Sequence, residues 1–172
     1  MRTRRGSPFL KGKIKNTVQL KRIVLKLKSQ GKKIVFTNGC FDLLHYGHVK
    51  YLQEAKKKGD ILVVAVNSDA SVKRIKGDNR PIVNQQNRAK VLAGLESVDY
   101  VVIFKEDTPF KIIKILKPNI LVKGSDWHKD NIVGRGIVSS YGGNVSTVKL
   151  VKGSSTTALI KKIAQKSRYK KY

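Results

Sequence analysis

Five short apolar runs rich in β-branched residues set the strongest limit on the fold. They fall at 33–38 (ending IVFTN), 60–67 (DILVVAVN), 98–104 (VDYVVIF), 119–123 (NILVK) and 144–150 (NVSTVKL). They are continuously apolar rather than alternating, as expected of parallel strands covered on both faces. Segments of helical period separate them. Val49, Leu52 and Ala55 mark one, and Val91 and Leu95 close another. Phe110, Ile113 and Leu116 mark a third, with Pro109 at its first turn. Ile132, Ile137, Val138 and Tyr141 mark a fourth, ended by Gly142-Gly143. A last helix is expected from Thr157 to Ile163, capped by Ser154 or Ser155. Leu20, Ile23, Val24 and Leu27 give a leading amphipathic helix. A helix followed by repeated β-α units implies an α/β, Rossmann-like, doubly wound five-stranded parallel sheet with helices on both faces. Such sheets bind ligands beyond the carboxyl ends of their strands.

The 172 residues suit one core, expected over 17–166, with basic tails at 1–16 and 167–172. Residues 1–12 and 167–172 are expected to be unstructured. No apolar run approaches the ~20 residues of a membrane span, so no membrane insertion is expected. The start, MRTRRGSPFLKGKIKN, has no signal-length apolar stretch, and a cytoplasmic protein is expected. Cys40 is the single cysteine, which excludes an internal disulfide and a thiolate zinc cluster. The net charge of +26 is concentrated at the ends. Twelve basic residues precede Asp42 and nine follow Asp130, with no acid in either segment. That imbalance attracts anions, whether nucleic acid, acidic membrane or phosphorylated substrates.

The chemistry-bearing stretch is NGCFDLLHYGHVKYL, from Asn38 to Leu52. It follows the first strand and opens the next helix. His45 and His48, two of only three histidines, therefore fall at a helix N-terminus, where free amides and the helix dipole favour anions. Gly47 between them lets a bulky anion approach the backbone. Residues i and i+3 share a helix face, so both imidazoles can address one phosphate. A zinc site lacks nearby third and fourth ligands of the usual kinds. Neither a P-loop nor a GxGxxG fingerprint is present.

The segment GCFDLLHYGH resembles the HxGH signature of the nucleotidyltransferase superfamily, which includes cytidylyltransferases and adenylyltransferases. VNSDASVKRIKGDNRPI, NRAKVLAGLESVDYVVIFKEDTP, LVKGSDW and GSSTTALIKKI resemble the D-glycero-β-D-manno-heptose 1-phosphate adenylyltransferases. The likeness covers about residues 31–165. In many bacteria that activity forms the carboxy-terminal half of a bifunctional heptose kinase/adenylyltransferase, and this chain looks like the stand-alone form. The resemblance implies transfer of AMP from ATP, with Mg²⁺, to the sugar 1-phosphate by in-line attack on the α-phosphorus. It also implies a homodimer and a product used in lipopolysaccharide core or other surface glycan synthesis.

The resemblance also implies roles. His45, His48, Lys76 and Arg88 would be catalytic, gripping the phosphates. Thr37, Asn38, Gly39, Cys40, Phe41, Asp42 and Gly47 would line the phosphate turn, with Asp42 a candidate for Mg²⁺. Lys73 would stand behind Lys76. Gly124, Asp126, Ser155 and Thr156 would flank the base and phosphates; Ser155 and Thr156 also fit a helix cap. HYGHVK and Trp127 are instead similar to the glycerol 3-phosphate cytidylyltransferases. Arg135-Gly136 departs from the family, where an acid more often follows the glycine. A cytidylyltransferase acting on an alcohol phosphate is thus the alternative within this chemistry. A nucleic-acid-binding protein working through its basic termini is the alternative outside it.

Overall fold

The computed structural model describes residues 12–168. The expectations for residues 1–11 and 169–172 lie outside the described residues. Helix α1 (Thr17–Ser29) comes first, then β1 (Ile34–Gly39), α2 (Tyr46–Lys56), β2 (Ile61–Asn67), α3 (Asp69–Lys76) and α4 (Gln85–Ala93). There follow β3 (Tyr100–Phe104), α5 (Phe110–Leu116), β4 (Ile120–Gly124), a single 3₁₀ turn at Lys129–Asn131, α6 (Arg135–Ser140), β5 (Asn144–Val148) and α7 (Thr156–Arg168).

The five strands form one parallel sheet in the order β3-β2-β1-β4-β5. The order reverses between β1 and β4, and this is the switch point. Alternate residues of each strand feed two cores. Val35, Leu62, Val64, Val66 and Val101 meet Leu52 and Ala55 of α2 and Leu92 of α4. Ile34, Phe36, Val63, Ala65 and Val102 meet Leu20 and Val24 of α1, Ile113 of α5 and Val138 of α6. The continuous apolar runs are explained by this double coverage, each fully buried aliphatic side chain contributing about 1.5–3 kcal/mol.

Helix starts follow local capping chemistry. Asn16 and Gln19 form a reciprocal capping box on α1. Ser68 caps α3 and Asn84 caps α4. Three details differ from the sequence reading. Helix α3 was not expected, because its exposed, charged sequence KRIK carries little apolar period. Helix α6 is shorter than its apolar pattern, and Ile132 is buried in the turn ahead of it. Helix α7 starts at Thr156, one residue before the expected start, and runs on to Arg168. In addition, Ile14, within the span assigned to the basic tail, forms an isolated parallel bridge to Val101 and packs on the first core. Among the described residues no helix is long and apolar enough to cross a membrane.

Candidate active site

The expected phosphate turn lies at the carboxyl edge of the sheet. His45 is the N-cap residue of α2, in extended conformation and without a side-chain capping bond. The amides of His48 and Val49 bond to the His45 carbonyl, so Tyr46 and Gly47 hold the first-turn amides that a helix leaves without an internal partner. The His45 and His48 rings stack with centroids 3.9 Å apart. Phe41, held at a positive φ of 46°, sets its ring 5.3 Å from His48. The Nδ1 atoms of both histidines and Oδ1 of Asn38 are buried without a hydrogen-bond partner. Buried polar atoms are rarely left so, and three around one turn mark a place where a polar ligand completes the bonding.

Burial lowers the pKa of both histidines. His48, the deeper, is pulled down to about 4 by burial and then by His45. Two imidazolium charges ~4 Å apart would repel by about 4 kcal/mol at an effective dielectric of ~20. At neutral pH the pair is therefore uncharged, and each ring offers one N–H donor.

A second helix points its N-terminus at the same place. A Cβ on Gly47 would lie 2.9 Å from the Ser154 Cβ and 3.0 Å from His45 Nδ1, so only glycine fits there. Ser155 caps α7 by accepting from the Ala158 amide. The Thr156 hydroxyl donates to the Leu43 carbonyl, which ties α7 to the histidine turn. Ser155 and Thr156 thus cap and anchor α7 so that its start lies beside the N-terminus of α2, and helix N-termini favour anions.

Two sequence-expected residues are held by protein partners. Arg88 was expected to grip pyrophosphate, but its side chain is only 1% exposed. Its guanidinium donates to the carbonyls of Val83, Cys40 and Asn67 and to Asp69 Oδ1. It joins the ends of β1 and β2 to the loop before α4, with four of its five N–H donors bonded to protein atoms. Asp42 was a candidate Mg²⁺ ligand. Its Oδ2 accepts from Arg80 Nε at 2.6 Å and the Ile82 amide at 2.9 Å, and its Oδ1 from the Val83 amide at 2.8 Å. Burial opposes ionisation, but the two amide bonds and Arg80 outweigh it and hold the carboxyl below its ordinary pKa. Asp42 is an anchor for the 80–83 loop, with both oxygens engaged. No group of three or more His, Cys, Asp or Glu side chains among the described residues could hold a metal. The described side chains thus build no all-protein cage for Mg²⁺, an ion usually held by one or two carboxylates together with substrate phosphates.

The other expected residues fall as follows. Thr37 is fully buried and its hydroxyl pairs with the Tyr51 hydroxyl at 2.7 Å. Gly39 ends β1, against the Phe41 ring. Cys40 is partly buried, and burial raises its thiol pKa against the opposing influence of Lys76, Arg88 and Arg80. Lys76 is thus near enough to act on the turn, while Lys73 is exposed one turn earlier in α3. Gly124 ends β4, and Asp126 folds back so that its Oδ1 would lie 2.4 Å from a Cβ at Gly124.

Sequence reasoning passed over Lys123. Its Nζ donates to the Asn38 carbonyl at 3.4 Å and lies 5.7 Å from the Trp127 ring centroid. Burial lowers its pKa to about 8, against Asp126 and Cys40, which act to raise it. The signal was present in LVKGSDW: a lysine at the carboxyl end of a buried strand.

Residues 36–170 match the cytidylyltransferase-like family model. Proteins named bifunctional protein HldE from Geobacter metallireducens and Geobacter sulfurreducens are 58% and 56% identical over 151 residues, covering 88% of this chain and 31% of each relative. The chain thus spans about a third of the length of these curated relatives. The lipopolysaccharide core biosynthesis protein from Thermoplasma volcanium GSS1 superposes with a TM-score of 0.59 at 34% identity, covering 72% of this chain and 100% of that one. The pantoate-beta-alanine ligase from Francisella tularensis shares the fold, with a TM-score of 0.60 at 19% identity over 90% of this chain and 77% of its own. The chain belongs to the cytidylyltransferase-like family and is a nucleotidyltransferase.

Proposed function

We propose that the chain transfers AMP from ATP to D-glycero-β-D-manno-heptose 1-phosphate, giving ADP-heptose and pyrophosphate. The observation that carries this reading is the stacked histidine pair, with its unpaired buried nitrogens, where the N-termini of α2 and α7 converge. The nucleotide's phosphate chain lies against that convergence. A non-bridging oxygen of the sugar phosphate attacks the α-phosphorus. The bond from the α-phosphorus to the oxygen bridging it to the β-phosphorus breaks, and pyrophosphate leaves with the electron pair. An ionised acceptor phosphate has no proton to lose, so the histidines need only donate hydrogen bonds to the charge that grows. The helix termini, Gly47 and the Phe41 turn hold reactants in line. Mg²⁺ is expected to arrive with ATP, and no step here is routed through it.

The heptose acceptor rests on the sequence blocks from Asn67 to Arg88 and on the likeness to the HldE proteins. A second reading, cytidylyl transfer to glycerol 3-phosphate, is favoured by HYGHVK and by Trp127. A pyrophosphate-release screen of four nucleoside triphosphates against sugar and alcohol phosphates decides between them. ATP with the heptose 1-phosphate should give the highest kcat/KM; CTP with glycerol 3-phosphate doing so would replace the proposal. A homodimer in the cytoplasm is the expected setting, and light scattering of the purified protein tests the assembly.

A further inference from the structure

We propose that Lys123 supplies the fixed positive charge that receives the phosphate chain of the bound nucleotide, in a crevice between β1 and β4. The inference rests on the nucleotidyl-transfer reading and names the cation which that reading leaves unassigned. The pairing between β1 and β4 is registered only at Val35 with Ile120 and Phe36 with Leu121. Beyond these the strands part, although β1 stays paired to β2 through Gly39 and β4 to β5 through Gly124. Tyr51 spans the start of the split, its hydroxyl paired with Thr37 Oγ1 and donating to the Val122 carbonyl at 3.1 Å. Lys123 follows directly. Its one bond within the split is the 3.4 Å contact to the Asn38 carbonyl, which is long for a hydrogen bond. An ammonium has three donors, so this one is poorly satisfied. The unpaired Oδ1 of Asn38 lies on the same strand end.

Elimination leads to the same residue. Phosphoryl chemistry needs positive charge at the phosphates, and the histidine pair is uncharged in the ligand-free protein at neutral pH. Arg88 is spent on three carbonyls and Asp69, and Arg80 is held by Asp42. Lys73 and Lys76 are exposed on α3; Lys76 acts on the Cys40 turn, but its charge sits in solvent, where it is screened. Lys123 combines partial burial with the absence of a carboxylate salt bridge among the described residues. The charged and titratable groups acting on it are Asp126 on the loop after β4 and Cys40 on the turn after β1. Tyr51 reaches in from α2 with a phenol pushed well above its usual range, chiefly by burial. The first turn of α7 carries no acid. An anionic ligand would hold the ammonium protonated.

Trp127, the single tryptophan, reports on this crevice directly. MgATP is titrated into the wild type, Lys123→Met and Lys123→Gln while Trp127 fluorescence is followed, and kinetics are run from pH 6.5 to 9.5. The neutral variants should bind MgATP about 30- to 100-fold more weakly, the range of a lost charged hydrogen bond. The KM for the sugar phosphate should stay within about threefold in those variants, since uniform nucleotide binding is what is removed. In the wild type, kcat/KM for ATP should fall through an ionisation near pH 8, and the variants should lack that limb. Thermal midpoints should be equal or higher in the variants, because a buried charge has been removed. Wild-type affinity and an unchanged alkaline limb in both variants would overturn the assignment alone. If the wild type binds no nucleoside triphosphate, the nucleotidyl-transfer reading falls with it.

Discussion

The histidine turn and the arginine knot beside it sit on neighbouring strand ends and treat their polar atoms in opposite ways. Around the turn, Asn38 Oδ1 and the Nδ1 atoms of His45 and His48 are buried and unpaired. In the knot, Arg88 makes four hydrogen bonds, and both oxygens of Asp42 are filled by Arg80, Ile82 and Val83. Both regions hold ionisable groups out of water. Only the first leaves bonding capacity for something else. The difference teaches that a buried charge with every partner supplied is scaffold, whereas buried polar atoms left open are where a ligand belongs.

That contrast can be broken most decisively at His48. His48→Ala should lower kcat by about 10³-fold, the scale of losing a preorganised donor to a developing charge. Its thermal midpoint should stay within a few degrees. Retained turnover would place the chemistry elsewhere. Arg88→Ala should do the reverse. Removing one partner of a buried network costs about 3–5 kcal/mol, and denaturant unfolding should show that loss. A variant of undiminished stability, with only nucleotide affinity reduced, would return Arg88 to the ligand and dissolve the distinction.

The smallest expected effect is in acid. His48 titrates lower folded than unfolded, so the unfolded chain binds more protons between pH 6.5 and about 4. Stability contributed by neutral His48 is thus complete above pH 6.5 and is lost as pH falls toward 4. Asp42 has its carboxyl pKa depressed, so its contribution persists lower and is lost only as pH passes down through that depressed value. Thermal melts should therefore decline in two stages, and His48→Gln should shrink the first, leaving the part that His45 contributes. A wild-type melt flat from pH 6.5 to 4.5 would show that His48 is not buried as described.

The sheet was legible in sequence because parallel strands under two helical layers must be continuously apolar, and runs such as IVFTN and ILVVAVN leave little else to form. The histidine turn was legible because strand, glycine turn and helix fix the direction of a helix N-terminus. The burial of Arg88 was not legible because residue type carries charge but not depth; its partners are carbonyls 5, 21 and 48 positions away and cannot be read from spacing. The partners of Asp42 were hidden for the same reason, since the loop that engages it lies 38 to 41 residues on. Lys123 was missed because a lysine at a strand end reads as solvated, and only the parting of β1 from β4 makes it a crevice residue.

The Thr156 bond to the Leu43 carbonyl joins positions 113 residues apart. The histidine turn is therefore made well before the helix that is tethered to it. A nascent chain can build its strands and bury its cores in order, but it holds no finished nucleotide site until α7 docks. The turn and its neighbouring helix are thus brought together by folding rather than by proximity in sequence, and removing α7 is expected to lower activity while leaving the sheet intact.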